Sequence, residues 1–217
     1  MHGSQTDPQF DSAALITIDT QRDVLDDGPF PIPGTTAALP AMHALLEAFR
    51  AAELPIVHVV RIYERDGSNA EPVRRALIAR GAEVLLLGSS GCDLAPDLPP
   101  ADAPPLDHEL LLRGAVQPLG PHEVAIYKPR WGAFYKTRLE QYLRRQRVTT
   151  LVFTGCNFPN CPRTSIYEAS ERDFRVVLAR DAISGLYARG ERELRGIGVA
   201  IMSAERIGKA LPGRVVA

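Results

Sequence analysis

Six apolar runs of strand length, residues 13–18, 56–60, 124–127, 151–153, 176–179 and 199–202, are separated along this chain by stretches of helical periodicity. The helical stretches fall at 36–52, 71–80, 135–147, 162–172 and 191–196. Few architectures accept that alternation. Near-continuous hydrophobicity suits strands covered on both faces, and a helix between successive strands makes them parallel in a doubly wound sheet. The expected fold is α/β, a single-domain Rossmann-like three-layer arrangement with helices on both faces of the sheet. A chain of 217 residues, 45% of them hydrophobic, is long enough to fill one such core. Residues 1–12 are polar and read as a flexible lead into a domain covering 13–217.

Charge narrows the partners. The chain carries 25 basic and 26 acidic residues without long runs of one sign, so neither nucleic acid nor an anionic membrane is implied. No apolar stretch approaches membrane-spanning length, and the start, MHGSQTDPQFDS, has neither a basic n-region nor an apolar h-region. Cys92, Cys156 and Cys161 form no even-numbered disulfide framework. The chain therefore reads as cytoplasmic, with small molecules or proteins as partners.

In a doubly wound sheet the ligand sits outside the carboxyl ends of the strands. That rule picks out Asp19 after the first run, Lys128 after the third, and the loop 155–161 after the fourth. The last opens TGCNFPNCPRTSIYEASERDF, residues 154–174, where Cys161 falls at a helix N-cap with Pro162 at the first helical position. First-turn amides and the helix dipole favour a thiolate there. With Lys128 holding thiol and carboxylate ionised, Asp19 can pass protons while the sulfur attacks a carbonyl. Each residue also has a plainer reading: a buried small cysteine, a turn-capping aspartate, a solvated lysine. Backbone N–H groups of Asn157 and Cys161 are candidates for an oxyanion hole. Cys156 lies five positions before Cys161, but no histidine flanks the loop, so no metal site is expected.

Around these groups, Trp131, Phe134, Phe158 and Tyr167 are candidates for an apolar pocket wall. Arg163 and Arg130 could clamp a carboxylate or ureido carbonyl, or form surface ion pairs. Gln21 and Asn157 could recognise an amide, or be satisfied buried polar groups. The proline-rich segment 88–120 lacks a clear period and reads as a long loop, either a lid or a surface excursion.

Three motifs in order, ITIDTQRDVL around Asp19, IYKPRWGAFYKT around Lys128 and FTGCNFPNCPRTSIYEASERDFRVVLARDAIS around Cys161, resemble the isochorismatase-like cysteine hydrolases. That family includes nicotinamidases, N-carbamoylsarcosine amidohydrolases, biuret hydrolases and ureidoacrylate hydrolases, and the resemblance runs from about residue 14 to 202. It implies Cys161 as nucleophile, Asp19 as acid and base, and Lys128 as supporting cation. It also implies a six-stranded parallel sheet, a non-proline cis peptide at Cys156–Asn157, and a homo-oligomer, dimer or tetramer. The substrate it implies is a small amide, carbamoyl or ureido compound, cleaved through a thioester with release of ammonia or an amine. Two alternatives stay open: an isochorismatase-type vinyl ether hydrolase, and a catalytically idle binding protein. The Asp-Trp-His-Pro run of metal-dependent nicotinamidases is absent, His58-Val59-Val60-Arg61-Ile62-Tyr63 standing in its place. No metal and no cofactor are expected, and His58 reads as a satisfied histidine at a strand end.

Overall fold

A computed structural model describes residues 4–213; residues 1–3 of the expected lead and 214–217 of the expected domain lie outside the described residues. The strands are β1 (Ala13–Ile18), β2 (Ile56–Val60), β3 (Val116–Gly120), β4 (Glu123–Tyr127), β5 (Thr150–Gly155), β6 (Arg175–Ile183) and β7 (Ala200–Met202). They form one seven-stranded sheet in the order β3-β4-β2-β1-β5-β6-β7. All pairings are parallel except β3 with β4. The six-stranded, all-parallel expectation is thus corrected by one antiparallel edge strand.

That strand lies within the segment read as a long loop, which also supplies α3 (His108–Leu112) and a 3-10 turn at Ser90–Cys92. Pro118 obscures it in the sequence, since proline has no N–H for a ladder and is tolerated in a sheet mainly at an edge. β3 turns into β4 through Pro121 and His122, with Gly120 opposite Glu123.

The other helices are α1 (Thr35–Ala51), α2 (Pro72–Ala79), α4 (Leu139–Arg145), α5 (Cys161–Ser170), α6 (Ala188–Gly196) and α7 (Ala204–Ala210). Strand β1 is buried along its whole length, and its residues alternate between two cores. Ala13 and Leu15 join Met42, Leu45, Leu46 and Phe49 of α1 and Ile207 of α7. Ala14, Ile16 and Ile18 join Leu139 and Leu143 of α4, Ile166 of α5 and Leu194 of α6. The period of two in the strand meets the wider period of the helices on each side, which produces the three layers. Helix α7 follows β7 directly, its N-cap Ser203 accepting a hydrogen bond from Arg206 N. A serine just after an apolar run was the sequence signal for it.

The expected flexible lead is tied to the sheet in part, with Gln9 N donating to Thr150 Oγ1 at 2.8 Å and Phe10–Ser12 forming a 3-10 turn. At the other end of β5 the backbone is held tightly. Gly155 has φ +112°, and a Cβ added there would lie 2.1 Å from Ile18 O. Replacing Gly155 by Ala combines a forbidden φ with a backbone clash, so it is expected to lower unfolding free energy by about 3 kcal/mol. Chemical denaturation of Gly155→Ala checks this, and a loss below about 1 kcal/mol would contradict the assigned packing.

Candidate active site

Three chain segments leave the carboxyl edge of the sheet at β4, β1 and β5, with β2 between the first two. Asp19 follows β1 with φ +50°, and its N–H donates to Val59 O at 2.9 Å. Lys128 follows β4, its N–H donating to Val60 O at 3.0 Å. The loop after β5 begins with Cys156 N donating to Ile18 O at 2.9 Å, and the Cys156–Asn157 peptide is cis. Because β1 lies between β2 and β5, the strand order runs outward in opposite senses on its two sides, which is where a doubly wound sheet opens a crevice.

The structure brings Asp19, Lys128 and Cys161 together. Lys128 is fully buried; its Nζ lies 2.9 Å from Asp19 Oδ2 and donates to Cys161 Sγ at 3.4 Å. Asp19 Oδ1 is buried and has no hydrogen-bond partner among the described residues. All three line a cavity of about 450 Å³, a size suited to a small molecule.

Cys161 opens α5 as its first residue, with Asn160 as the N-cap, one position later in the helix than the sequence pattern predicts. The expectation of a resting thiolate is also corrected. Burial, with the Asp19 carboxylate adding to it, pushes the Cys161 thiol up to about 12, and Lys128 only partly opposes them. Desolvating a sulfur anion beside a carboxylate outweighs the attraction of one ammonium. Burial works against the Lys128 ammonium too, but the Asp19 charge raises it above 10.5. Near neutral pH the site therefore holds a protonated thiol and an ammonium.

Neighbouring groups fix this geometry. Cys156 Sγ donates to Asp19 O at 3.0 Å, and burial holds that thiol protonated. Ser165 Oγ donates to Cys161 O at 2.7 Å and accepts from Ala133 N at 3.0 Å. Glu168 accepts from Phe134 N at 2.9 Å. Helix α5 therefore carries the thiol and also pins the loop that follows Lys128. Around the thiol, the N–H groups of Cys156, Phe158, Asn160 and Arg163 donate to backbone oxygens. Those of Asn157 and Cys161 have no protein acceptor among the described residues.

The expected pocket wall is largely corrected. Trp131 lines the cavity. Phe158 is fully buried edge-on against Tyr187, ring centroids 5.4 Å apart, and Phe134 packs on Phe174. Arg163 points away from the cavity, ion-paired with Glu193 at 2.6 Å and donating to Tyr187 Oη. Arg130 donates to Asn69 O and Pro129 O. Gln21 is structural rather than a substrate contact: fully buried, it donates to Arg61 O and Cys92 O and accepts from Arg61 N. In place of the expected residues, Phe30, Ile32, Val84 and Leu85 supply the apolar wall. The short run GPFPIPG, residues 28–34, was the signal for part of it, since its prolines prevent regular structure beside a strand end. No residue of 88–120 lines the cavity; Asp93 O and Ala95 N instead bond the backbone of Arg22 and Thr20 behind it.

Sequence reasoning missed the polar wall. Arg61 stands at the end of β2, where the strand-end rule points, and is buried. Its guanidinium donates to Glu71 Oε1 (3.2 Å), Tyr127 Oη (2.9 Å), Ile62 O (3.0 Å) and Asn69 O (2.6 Å). Tyr63 donates to the other Glu71 oxygen at 2.8 Å. His58 lies deeper, its ring nitrogens against Thr17 Oγ1 (2.8 Å) and Glu123 Oε1 (2.6 Å), a satisfied buried histidine.

A cysteine, an aspartate and a buried lysine at the switch point of a doubly wound sheet define an α/β protein with a thiol, a carboxylate and an ammonium at one cavity. Comparison with known proteins agrees with that class. The isochorismatase domain matches residues 13–194, and the chain belongs to the isochorismatase family. Among curated relatives, a probable inactive nicotinamidase of Arabidopsis thaliana is 25% identical over 87% of this chain and 90% of its own length. N-carbamoylsarcosine amidase of an Arthrobacter species is 28% identical over 78% of this chain, which spans 58% of that protein. An isochorismatase family protein of Desulfovibrio vulgaris superposes with TM-score 0.78 at 28% identity, covering 91% of this chain and 97% of its own.

Removing the ammonium leaves Asp19 as an uncompensated buried charge. Lys128→Met is expected to destabilise the fold by about 3–5 kcal/mol, and adding Asp19→Asn should recover part of that loss. Because the ammonium is held above its ordinary lysine value, the Lys128 contribution is fully present below that ordinary value and is lost as pH rises through the raised one. Denaturation of the single and double variants checks this; a Lys128→Met cost under about 1 kcal/mol would contradict the pairing.

Proposed function

We propose that this chain is a cysteine hydrolase that opens the C–N bond of a small amide, carbamoyl or ureido compound through a thioester. One observation carries the reading: Lys128 Nζ bridges Asp19 Oδ2 and Cys161 Sγ at the wall of a cavity of about 450 Å³. The family membership and the amidases among the relatives support the reaction class.

The steps follow from the protonation states. With the thiol at about 12, the nucleophile forms during attack rather than before it. Asp19, whose Oδ1 is free to accept, takes the thiol proton as Sγ bonds to the carbonyl carbon. Negative charge then develops on the carbonyl oxygen, and the unoccupied N–H donors of Asn157 and Cys161 are available to receive it. Asp19 returns the proton to the leaving nitrogen; the C–N bond breaks, ammonia or an amine departs, and the acyl group remains on sulfur. Water then adds to the thioester carbon as Asp19 accepts its proton, and the C–S bond breaks to give the acid and the thiol. Lys128 stays an ammonium throughout and holds Asp19 in place. The homo-oligomer and cytoplasmic setting expected from the sequence belong to the same reading.

Two variants test it. Cys161→Ala should lose at least about 10,000-fold in turnover of a cognate amide, with its unfolding free energy nearly unchanged. Asp19→Asn should lose about 100- to 10,000-fold. The assay is ammonia release from nicotinamide, biuret, N-carbamoyl amino acids and ureidoacrylate, with mass spectrometry of quenched enzyme for an acyl group on the Cys161 peptide. Ammonia release that survives Cys161→Ala, or pyruvate release from isochorismate without the thiol, would overturn the mechanism.

A further inference from the structure

The charged side chains around the cavity do not balance. Asp19 is paired with Lys128 at 2.9 Å, and Arg61 with Glu71 at 3.2 Å. Both oxygens of Glu71 are engaged, the second accepting from Tyr63 Oη, and neither is bonded by Arg74. That leaves Arg74 of α2, which lines the same cavity, is partly buried and, among the described residues, makes neither an ion pair nor a side-chain hydrogen bond. Three cationic side chains thus face two carboxylates, and the surplus is a guanidinium with its donors free.

A planar guanidinium with free N–H groups is matched by a carboxylate, which it can hold through two parallel hydrogen bonds. The surroundings favour this pairing. The apolar wall of Phe30, Ile32, Val84 and Leu85 excludes water from one side, so a charge-assisted hydrogen bond here is screened less than on open surface. The triad forms another part of the same cavity, so one small molecule can meet both. Resting on the hydrolase reading above, we propose that the substrate is anionic: a carbamoyl or ureido compound with a carboxylate remote from the scissile carbonyl. Arg74 binds that carboxylate and sets the specificity. The arginines closer to Cys161 in sequence are committed elsewhere, Arg163 to Glu193 and Arg130 to backbone oxygens.

The experiment measures binding by calorimetry on Cys161→Ala enzyme, which holds ligand without turning it over. The probes are N-carbamoylglycine and 3-ureidopropionate, each beside its neutral methyl ester. At least one acid should bind about 10- to 100-fold more tightly than its ester. Arg74→Met should erase that preference, and Arg74→Lys should keep part of it. Equal binding of acids and esters, no binding of either acid, or a preference that survives Arg74→Met would overturn the proposal. Ammonia release by enzyme with Cys161 intact is followed in parallel. Arg74-dependent binding of the acids without ammonia release would remove the hydrolase reading and leave the carboxylate site standing. Equal ammonia release from acid and ester would do the reverse.

Discussion

Everything in the site depends on one ammonium taken fully out of water. Moving a lysine into a protein interior costs several kcal/mol unless a partner and further hydrogen bonds offset it. Lys128 has both, in the Asp19 carboxylate and the Cys161 sulfur. The ion pair in turn requires the ends of β1 and β4 and the first residue of α5 to converge, although they are far apart in the chain. The sheet order achieves this by placing β1 between β2, which leads on to β4, and β5, which leads on to α5. The short contacts at the strand ends, Asp19 N to Val59 O and Lys128 N to Val60 O, carry that register into the side chains.

A protonated thiol is the consequence that most shapes the chemistry. Burial and the Asp19 charge oppose ionisation more strongly than Lys128 favours it. Under the proposed mechanism the sulfur stays protonated until a carbonyl is in place and the carboxylate can take the proton in the same event. In the proposed reaction the three groups have separate duties: Lys128 fixes Asp19, Asp19 moves protons, and Cys161 forms the bond. The second cysteine, Cys156, bonds the Asp19 carbonyl oxygen, so it serves the position of the acid rather than the reaction itself.

The fold was legible where one residue pattern implied one structure. β1 and β2 could be bounded from their apolar runs because both are buried throughout. The convergence of Asp19, Lys128 and Cys161 was legible because strand ends in such a sheet are where ligand sites collect, and the three motifs stand in a distinctive order. β3 was hidden by Pro118, and α7 by its short length. The pocket wall was misread for a different reason. Phe158, Phe134 and Arg163 lie near Cys161 or Lys128 in sequence, but a strand or helix turns adjacent residues to different sides. Arg61 was within reach of the strand-end rule. Arg74 carried no local signal, since only the packing of α2 over the cavity brings it there.

The most direct measurement is thiolate absorbance near 240 nm, taken as the difference between the protein and its Cys161→Ala variant from pH 6 to 11. The account predicts no thiolate step for Cys161 at neutral or mildly alkaline pH, in keeping with a thiol held at about 12 beside the carboxylate. A full step at or below neutral pH would mean that the sulfur rests as an anion, and the arrangement of charges around Lys128 described here would be wrong.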